Sequence, residues 1–212
     1  LELIDALEAN DVVVSCGHSD ATAEQAEQAF DRGARTVTHL FNAMRPLTHR
    51  DPGIVGAALV RDDVIVQMIV DGIHLAAATV SLVWKAAAGR IALVTDAVAW
   101  RGARIGRIEI VHDGTAPRLP DGTLAGSSLT MDAAIRNVVR EAGVPLDDAL
   151  RAASTTPAEL VGLTDRGRIE VASSLGGIAH VSAVVGLRRR RAARRGRTCR
   201  AGRRRHTQRH AV

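Results

Sequence analysis

The chain has 212 residues, 46% of them apolar and only 2% aromatic, with no Tyr. That length suits one domain of ordinary size whose core is built from Ala, Val, Leu and Ile. Of the 28 Lys and Arg, 12 fall in residues 187–212, which hold no acidic group; residues 1–186 keep 16 basic against 23 acidic groups, a net of −7 beneath an overall +5. The basic balance therefore belongs to the C-terminal segment, and the body reads as an acidic, enzyme-like domain.

Residues 1–10 place Leu3, Ile4 and Leu7 at helical spacing and predict a helix already under way at Leu1. A strand over 12–16 follows. Thr22–Arg32 is rich in Ala and Gln and stops at Gly33, which predicts a helix capped by Asp20 or Thr22. A short strand leads to His39. Arg45–Gly53 contains Pro46, Pro52 and Gly53 and reads as loop. A strand over 64–70, a helix over 76–88 and a buried strand over 91–95 come next. In residues 101–125, Gly, Pro and Asp punctuate short β-like pieces (105–111 and 118–124), suggesting an insertion or hairpin. Helices are predicted over 129–142, 146–154 and 157–161. Strands alternating with helices argue for a parallel α/β sheet. Only about four strand–helix units fit before residue 160, whereas a closed eight-unit barrel takes about 250 residues. The fold class expected is α/β, a TIM-like (β/α) barrel represented by its C-terminal half. Such a half is expected to leave strand edges and an apolar interior open. Residues 1–171 are read as this partial barrel, and residues 172–212, Arg-rich and without hydrophobic period, as a disordered tail.

Cys16 and Cys199 lie far apart with no metal-ligand spacing, which argues against a disulfide framework. A signal peptide and an apolar run of about 20 residues are both missing from the sequence, so a cytoplasmic protein with no membrane partner is expected.

The chemistry-bearing residues sit just past the apolar strand runs. His18 follows 12–16, His39 follows 36–38, Asp71 and His74 follow 64–70, and Asp96 follows 91–95. In an α/β barrel those ends converge on the face where active sites are built. Neutral imidazole is the commonest metal ligand, so His18 and His39 on neighbouring strands suit one shared ion. The plainer reading is that each His caps a turn; the recurrence of His or Asp at four strand ends weighs against it. Asp96 suits a general base on an activated water that later returns the proton to a leaving amine. His74 suits a substrate oxygen, or else packs its loop. The Gly126-Ser127-Ser128 backbone suits an anion or carbonyl, and is also an ordinary helix N-cap. Arg50 suits a phosphate, although a lone loop Arg is more often simply solvated.

Five segments, Gly17-His18-Ser19-Asp20-Ala21-Thr22, Thr38-His39-Leu40-Phe41-Asn42-Ala43-Met44, Asp71-Gly72-Ile73-His74, Leu93-Val94-Thr95-Asp96-Ala97 and the run from Gly122 to Met131, together resemble the N-acetylglucosamine-6-phosphate deacetylases of the amidohydrolase superfamily. The resemblance runs from about Leu7 to Arg168. It implies hydrolysis of the N-acetyl group of N-acetylglucosamine 6-phosphate to glucosamine 6-phosphate and acetate, a step of amino-sugar catabolism. It implies His18 and His39 as ligands of a divalent metal, zinc or iron, and Asp96 as catalytic acid/base. His74 would orient the substrate, with Asp71, Gly72 and Ile73 lining the sugar site. Asn42, Ala43 and Arg50 would hold phosphate, Arg50 reaching across a homodimer. Leu124, Ala125 and Gly126 would surround the acetyl group, with Ala125 where the family often has Ser.

Two departures accompany the resemblance. The family's first metal ligand, a Glu in a Gly/His/Glu/Gly/Pro motif on an earlier strand, does not occur in this sequence. Past Gly167-Arg168-Ile169 the family's β segments give way to Arg-rich sequence, which suggests a reading-frame shift near residue 172; genomic sequencing through this region tests it. The competing readings are an inactive truncated remnant and another metal-dependent amide hydrolase. Binding of nucleic acid by the tail is disfavoured, because no aromatic residue interleaves its arginines.

Overall fold

The computed structural model describes residues 1–98, 104–105 and 108–167. The expected Arg-rich tail over 172–212 lies outside the described residues. The elements run α1 (Glu2–Glu8), β1 (Val14–Cys16), α2 (Ala23–Asp31), β2 (Ala34–Val37), α3 (Gly53–Val60), β3 (Ile65–Met68), α4 (Ala77–Ala86) and β4 (Ile91–Leu93). Short strands β5 (Arg104–Ile105), β6 (Ile108–Glu109), β7 (Val111–His112) and β8 (Pro117–Arg118) follow, then α5 (Met131–Ala142), α6 (Leu146–Ala153) and α7 (Thr155–Leu160).

The first four strands form one parallel sheet in the order β1-β2-β3-β4. Each strand follows the last in sequence and in space, as the expected α/β alternation requires. The two antiparallel pairs, β5–β6 and β7–β8, bear out the punctuated hairpin segment.

Register decides what each face of the sheet carries. Cys16, Val37, Val66 and Ile91 align across the strands, and Met68 aligns with Leu93. This face joins Ala26 and Phe30 of α2, Ile54 and Val55 of α3, Val80 and Val83 of α4 and Val138 of α5 in one core. The opposite face carries Ser15 beside Thr36, Thr36 beside Ile65, and Gln67 beside Ala92. Here Ser15 Oγ lies 2.6 Å from Thr38 Oγ1, and Gln67 Nε2 donates to Thr36 Oγ1 at 3.2 Å. The expected apolar interior is therefore corrected: the face away from the helices is mostly polar and satisfies its own hydroxyls and amide. The runs read as apolar in sequence because strands of three or four residues give the alternation little room.

Local chemistry explains most boundaries. Thr22 caps α2 with a reciprocal box, its side chain accepting from Gln25 N and the Gln25 side chain accepting from Thr22 N. Helix α5 ends at Gly143, whose φ of 68° is left-handed. It begins at Met131 after the cap residue Thr130, two residues later than expected. Helix α3 escaped the sequence reading. Its run Gly-Ile-Val-Gly-Ala-Ala-Leu-Val is buried on nearly every side and has no polar face to mark a helical period.

The C-terminus of α3 is held by Arg90. Its Nη1 donates to Val64 O at 2.5 Å and Ala58 O at 3.4 Å, and its Nη2 to Leu59 O at 2.9 Å. A cation at this end also complements the helix dipole. Arg90→Met keeps the apolar stem and strands those carbonyls, so it is expected to lower unfolding stability by about 1.5–3 kcal/mol. Urea titration with an unchanged slope checks this; a loss under about 0.5 kcal/mol, the range of a neutral surface change, would show that the carbonyls find water instead.

Candidate active site

The parallel strands all end on the same side, and the backbone turns sharply there. His18, His39 and Asp96 adopt left-handed φ values of 47°, 30° and 49°. Such values are uncommon for residues with a Cβ and cluster at functional sites. Phe41 at 75° and Ala43 at 50° continue the pattern, so three of five residues from His39 to Ala43 are left-handed.

Ladder bonds carry the sheet past its formal ends. Thr38 N donates to Cys16 O at 2.8 Å, Leu40 N to Gln67 O at 2.8 Å, and Val94 N to Met68 O at 3.0 Å. The loops after β1 and β2 are then joined by a bridge between Ser19 and Met44. Gly17 permits this approach, because a Cβ there would sit 2.7 Å from Thr38 Cβ.

His18 and His39 meet through their Nε2 atoms, 2.9 Å apart, with ring centroids at 4.7 Å. Two reciprocal readings exist: one Nε2–H donates to the other ring, or both lone pairs face a common cation. Nitrogens 2.9 Å apart, each about 2.0–2.1 Å from one ion, subtend about 90° there, an ordinary angle between adjacent ligands. The pair thus fits two positions of a metal site. Among the described residues no group of three or more His, Cys, Asp or Glu is placed to hold an ion, so the remaining ligands are not supplied by them. His39 is nearly buried, and its Nδ1 has no hydrogen-bond partner among the described residues. Metal-bound imidazoles normally pass that second N–H to an acceptor.

Asp96 lies exposed at the end of β4, and its carboxylate makes no hydrogen bond or ion pair among the described residues. Its backbone is better anchored. Ser127 N donates to Asp96 O at 2.8 Å, Val98 N donates to Ser127 O at 3.0 Å, and Ser127 Oγ donates to Thr95 O. Ser127 is therefore not the cap of α5, as the plainer reading had it, but a latch between its loop and the turn that carries Asp96. Leu124, Ala125 and Gly126 lie along this latch and are half-buried. A Cβ on Gly126 would lie 2.7 Å from Asp96 O, and its φ is 92°.

Asp71 and His74 close a tight loop after β3. Asp71 Oδ1 accepts from Ile73 N at 2.9 Å and His74 N at 2.8 Å, and Oδ2 lies 2.7 Å from His74 Nδ1. Burial pushes the Asp71 carboxyl up, but the bonds from the His74 ring and the two backbone N–H groups outweigh it and hold it below its ordinary value. Gly72 and Ile73 stand exposed at the loop's tip.

Asn42 Nδ2 donates to His39 O at 3.3 Å and Leu40 O at 3.2 Å, so the amide braces the left-handed turn behind His39. Ala43 is exposed beside it. Arg50 is exposed at the tip of a turn closed by Thr48 and Asp51, with Nη1 2.6 Å from His49 Nε2 and no carboxylate partner among the described residues. The residue overlooked in sequence is Arg45. It bonds the carboxylates of Asp20 at 3.2 Å and Asp51 at 2.6 Å and ties the Arg50 turn to the loop of His18. These bonds, Asp20 first, hold its pKa above the ordinary value. Its place directly after Met44, in the same short loop as Arg50 and Asp51, was the available signal.

An amidohydrolase family model matches residues 2–173. The chain belongs to the amidohydrolase family. It is 38% identical over 172 residues to the N-acetylglucosamine-6-phosphate deacetylase of Lysinibacillus sphaericus, covering 78% of this chain and 44% of that one. It is 40% identical over 168 residues to the N-acetylgalactosamine-6-phosphate deacetylase of Escherichia coli O157:H7, covering 77% and 45%. Among solved structures, the N-acetylglucosamine-6-phosphate deacetylase from Pasteurella multocida superimposes with a TM-score of 0.74 at 38% identity, over 81% of this chain and 47% of that one. The chain thus spans less than half the length of the relatives it matches. The sheet is an arc of the metal-dependent hydrolase barrel of this family, whose members typically depend on a divalent metal. No helix among the described residues is long and apolar enough to cross a membrane.

Gly126→Ala and Gly122→Ala separate fit from backbone preference. Both sites are left-handed, but nothing lies within 4 Å of a Cβ at Gly122. Gly122→Ala is expected to lower stability by about 1–2 kcal/mol, and Gly126→Ala by a further 1–3 kcal/mol or so from the clash with the Asp96 carbonyl. Denaturant unfolding of both variants checks this; equal losses would remove the close approach from the account.

Proposed function

We propose that the protein containing this barrel segment hydrolyses the N-acetyl group of a hexosamine 6-phosphate, yielding acetate and the free amino sugar phosphate. The observation that carries this reading is the meeting of the two His Nε2 atoms past the left-handed ends of β1 and β2, on the same side of the sheet as the end of β4, where the Asp96 carboxylate has no partner among the described residues. The similarity to deacetylases across the same residues supports it.

His18 and His39 would hold the cation, zinc or iron, which would supply carbonyl polarisation and acidify a water. Asp96 accepts the proton from the attacking water as the new C–O bond forms. It returns that proton to the amine nitrogen as the C–N bond breaks, so one carboxylate serves as base and then acid. The loop of Leu124, Ala125 and Gly126 borders the acetyl group, and the Ser127 latch fixes its distance from Asp96. The His74 ring meets a substrate oxygen, with Gly72 and Ile73 along the sugar. Arg50, its charge uncommitted, and the exposed backbone at Ala43 receive the phosphate, with Arg50 acting across a homodimer. Asn42 contributes chiefly by bracing the turn. We place the protein in the cytoplasm, where sugar phosphates are generated and retained.

The identity of the sugar divides two readings. N-acetylglucosamine 6-phosphate is favoured by the run of relatives so named, and the galacto epimer by the Escherichia coli relative. Acetate release from both sugar phosphates, and from unphosphorylated N-acetylglucosamine, is the direct assay. Turnover of the gluco phosphate at least about tenfold above the others is expected, an energy difference of about 1.4 kcal/mol. Asp96→Asn should reduce turnover about 10²–10⁴-fold with metal content unchanged. His39→Ala should strip metal, lowering affinity by more than the roughly 10–100-fold typical of an outer-shell partner. A metal-free protein without turnover would mean that these residues record ancestry only. Metal with turnover of a different N-acyl substrate would favour another amide hydrolase.

A further inference from the structure

We infer that Asp71 is a positioning residue that sets the tautomer of His74, placing the proton on Nδ1 and leaving Nε2 as the one ring nitrogen available to a ligand. The inference rests on the proposed role of His74 at the substrate, and it reassigns Asp71 from lining the sugar site to acting through the ring.

The geometry leaves the carboxylate little freedom. Both backbone N–H bonds go to Oδ1, from Ile73 at 2.9 Å and His74 at 2.8 Å. Oδ2 is thereby turned toward the ring, 2.7 Å from Nδ1. An ionised carboxylate only accepts, so Nδ1 must be the donor. Both side chains are nearly buried, at 4% and 8% exposure, so water does not compete effectively for this bond. The Nε2 atom of His74 has no hydrogen-bond partner among the described residues. Ring rotation is blocked as well, because the same carboxylate holds the His74 backbone and its ring. The loop Asp71-Gly72-Ile73-His74 is thus a closed unit, and its spacing of three residues lets one carboxylate reach both ends.

Asp71→Asn provides a discriminating test. The asparagine oxygen suits the two backbone donors, which puts its NH₂ where Oδ2 stood. That NH₂ donates, so Nδ1 must become the acceptor and the proton moves to Nε2. An aspartate-to-asparagine change behind a catalytic histidine in serine proteases inverts the tautomer in this way and costs about 10⁴ in kcat with the geometry intact.

The experiment is long-range ¹H–¹⁵N correlation of the histidine rings in the full chain, with His74 assigned by His74→Gln. In the wild-type protein, Nδ1 is expected in the protonated, pyrrole-like range; in Asp71→Asn, Nε2 takes its place. A wild-type ring protonated at Nε2 alone overturns the inference, whether or not the variant folds. Deacetylation is the second readout: Asp71→Asn should lower kcat at least about 100-fold while KM changes less than about threefold, the pattern of a contact made mainly in the transition state. A tautomer switch with unchanged kcat would remove His74 from the chemistry and overturn the positioning role, leaving a tautomer that Asp71 sets but the reaction does not use. Absence of turnover in the wild-type protein would instead count against the proposed deacetylation, because the ring spectra stand independently of it.

Discussion

Three parallel strands end in residues whose backbone is left-handed, and everything at the candidate site depends on that reversal. A parallel ladder brings all its carboxyl ends to one side, but by itself it would carry the chain straight on. The turns at His18, His39 and Asp96 redirect it within one residue. Each left-handed residue with a Cβ costs about 1–2 kcal/mol. The opposing force comes from the layer beneath, where Val37, Val66, Met68, Ile91 and Leu93 are at most 2% exposed and packed against five helices. A loosely packed sheet would relax at its ends first, and the His pair would separate.

The other face of the sheet answers a different requirement. Parallel sheets are normally covered by apolar groups on both sides. Here Ser15 pairs with Thr38, and Gln67 with Thr36, directly below the strand ends that carry His18 and His39. These bonds run between neighbouring strands, so they fix strand spacing as well as pairing the side-chain polar groups of this face. A polar layer beneath the two imidazoles also means that a charge held there would face dipoles rather than hydrocarbon, which is far less costly. The helix-facing core supplies the rigidity of the site, and the inner layer supplies an environment that tolerates charge.

Much of this was legible in the sequence where the signal is local. Apolar runs followed by His or Asp located all four strands of the parallel sheet, and Thr22 and Gly143 marked helix ends through side-chain and backbone chemistry confined to one turn. Helix α3 was not legible, because a uniformly buried segment has no amphipathic period. The polar inner face was not legible either: Ser15, Thr36 and Gln67 meet only when strands some 20 to 30 residues apart take their register. The same holds for the Ser127 latch, which joins positions 32 residues apart. His74 and Asp71 were visible as a motif, but the division of labour between them was not, since it depends on which carboxylate oxygen faces the backbone.

Arg45 and Arg50 show how far residue type falls short of role. Both are guanidinium groups in one short loop, and either suits a phosphate on chemistry alone. Arg45 is taken: Asp20 and Asp51 neutralise it, and the bonds make it a strut between the loops after β1 and β2. Among the described residues Arg50 meets the neighbouring imidazole of His49 and no carboxylate, so its charge remains to be spent. Recognition of a dianion favours the uncommitted cation, because a ligand displacing Asp20 and Asp51 must first break two ion pairs. The strut and the free arm are coupled through Asp51, which binds Arg45 through its side chain and closes the Arg50 turn through its backbone. The stiffness of the turn and the availability of Arg50 thus come from one acidic residue, and the His18 loop is held by the same set of contacts.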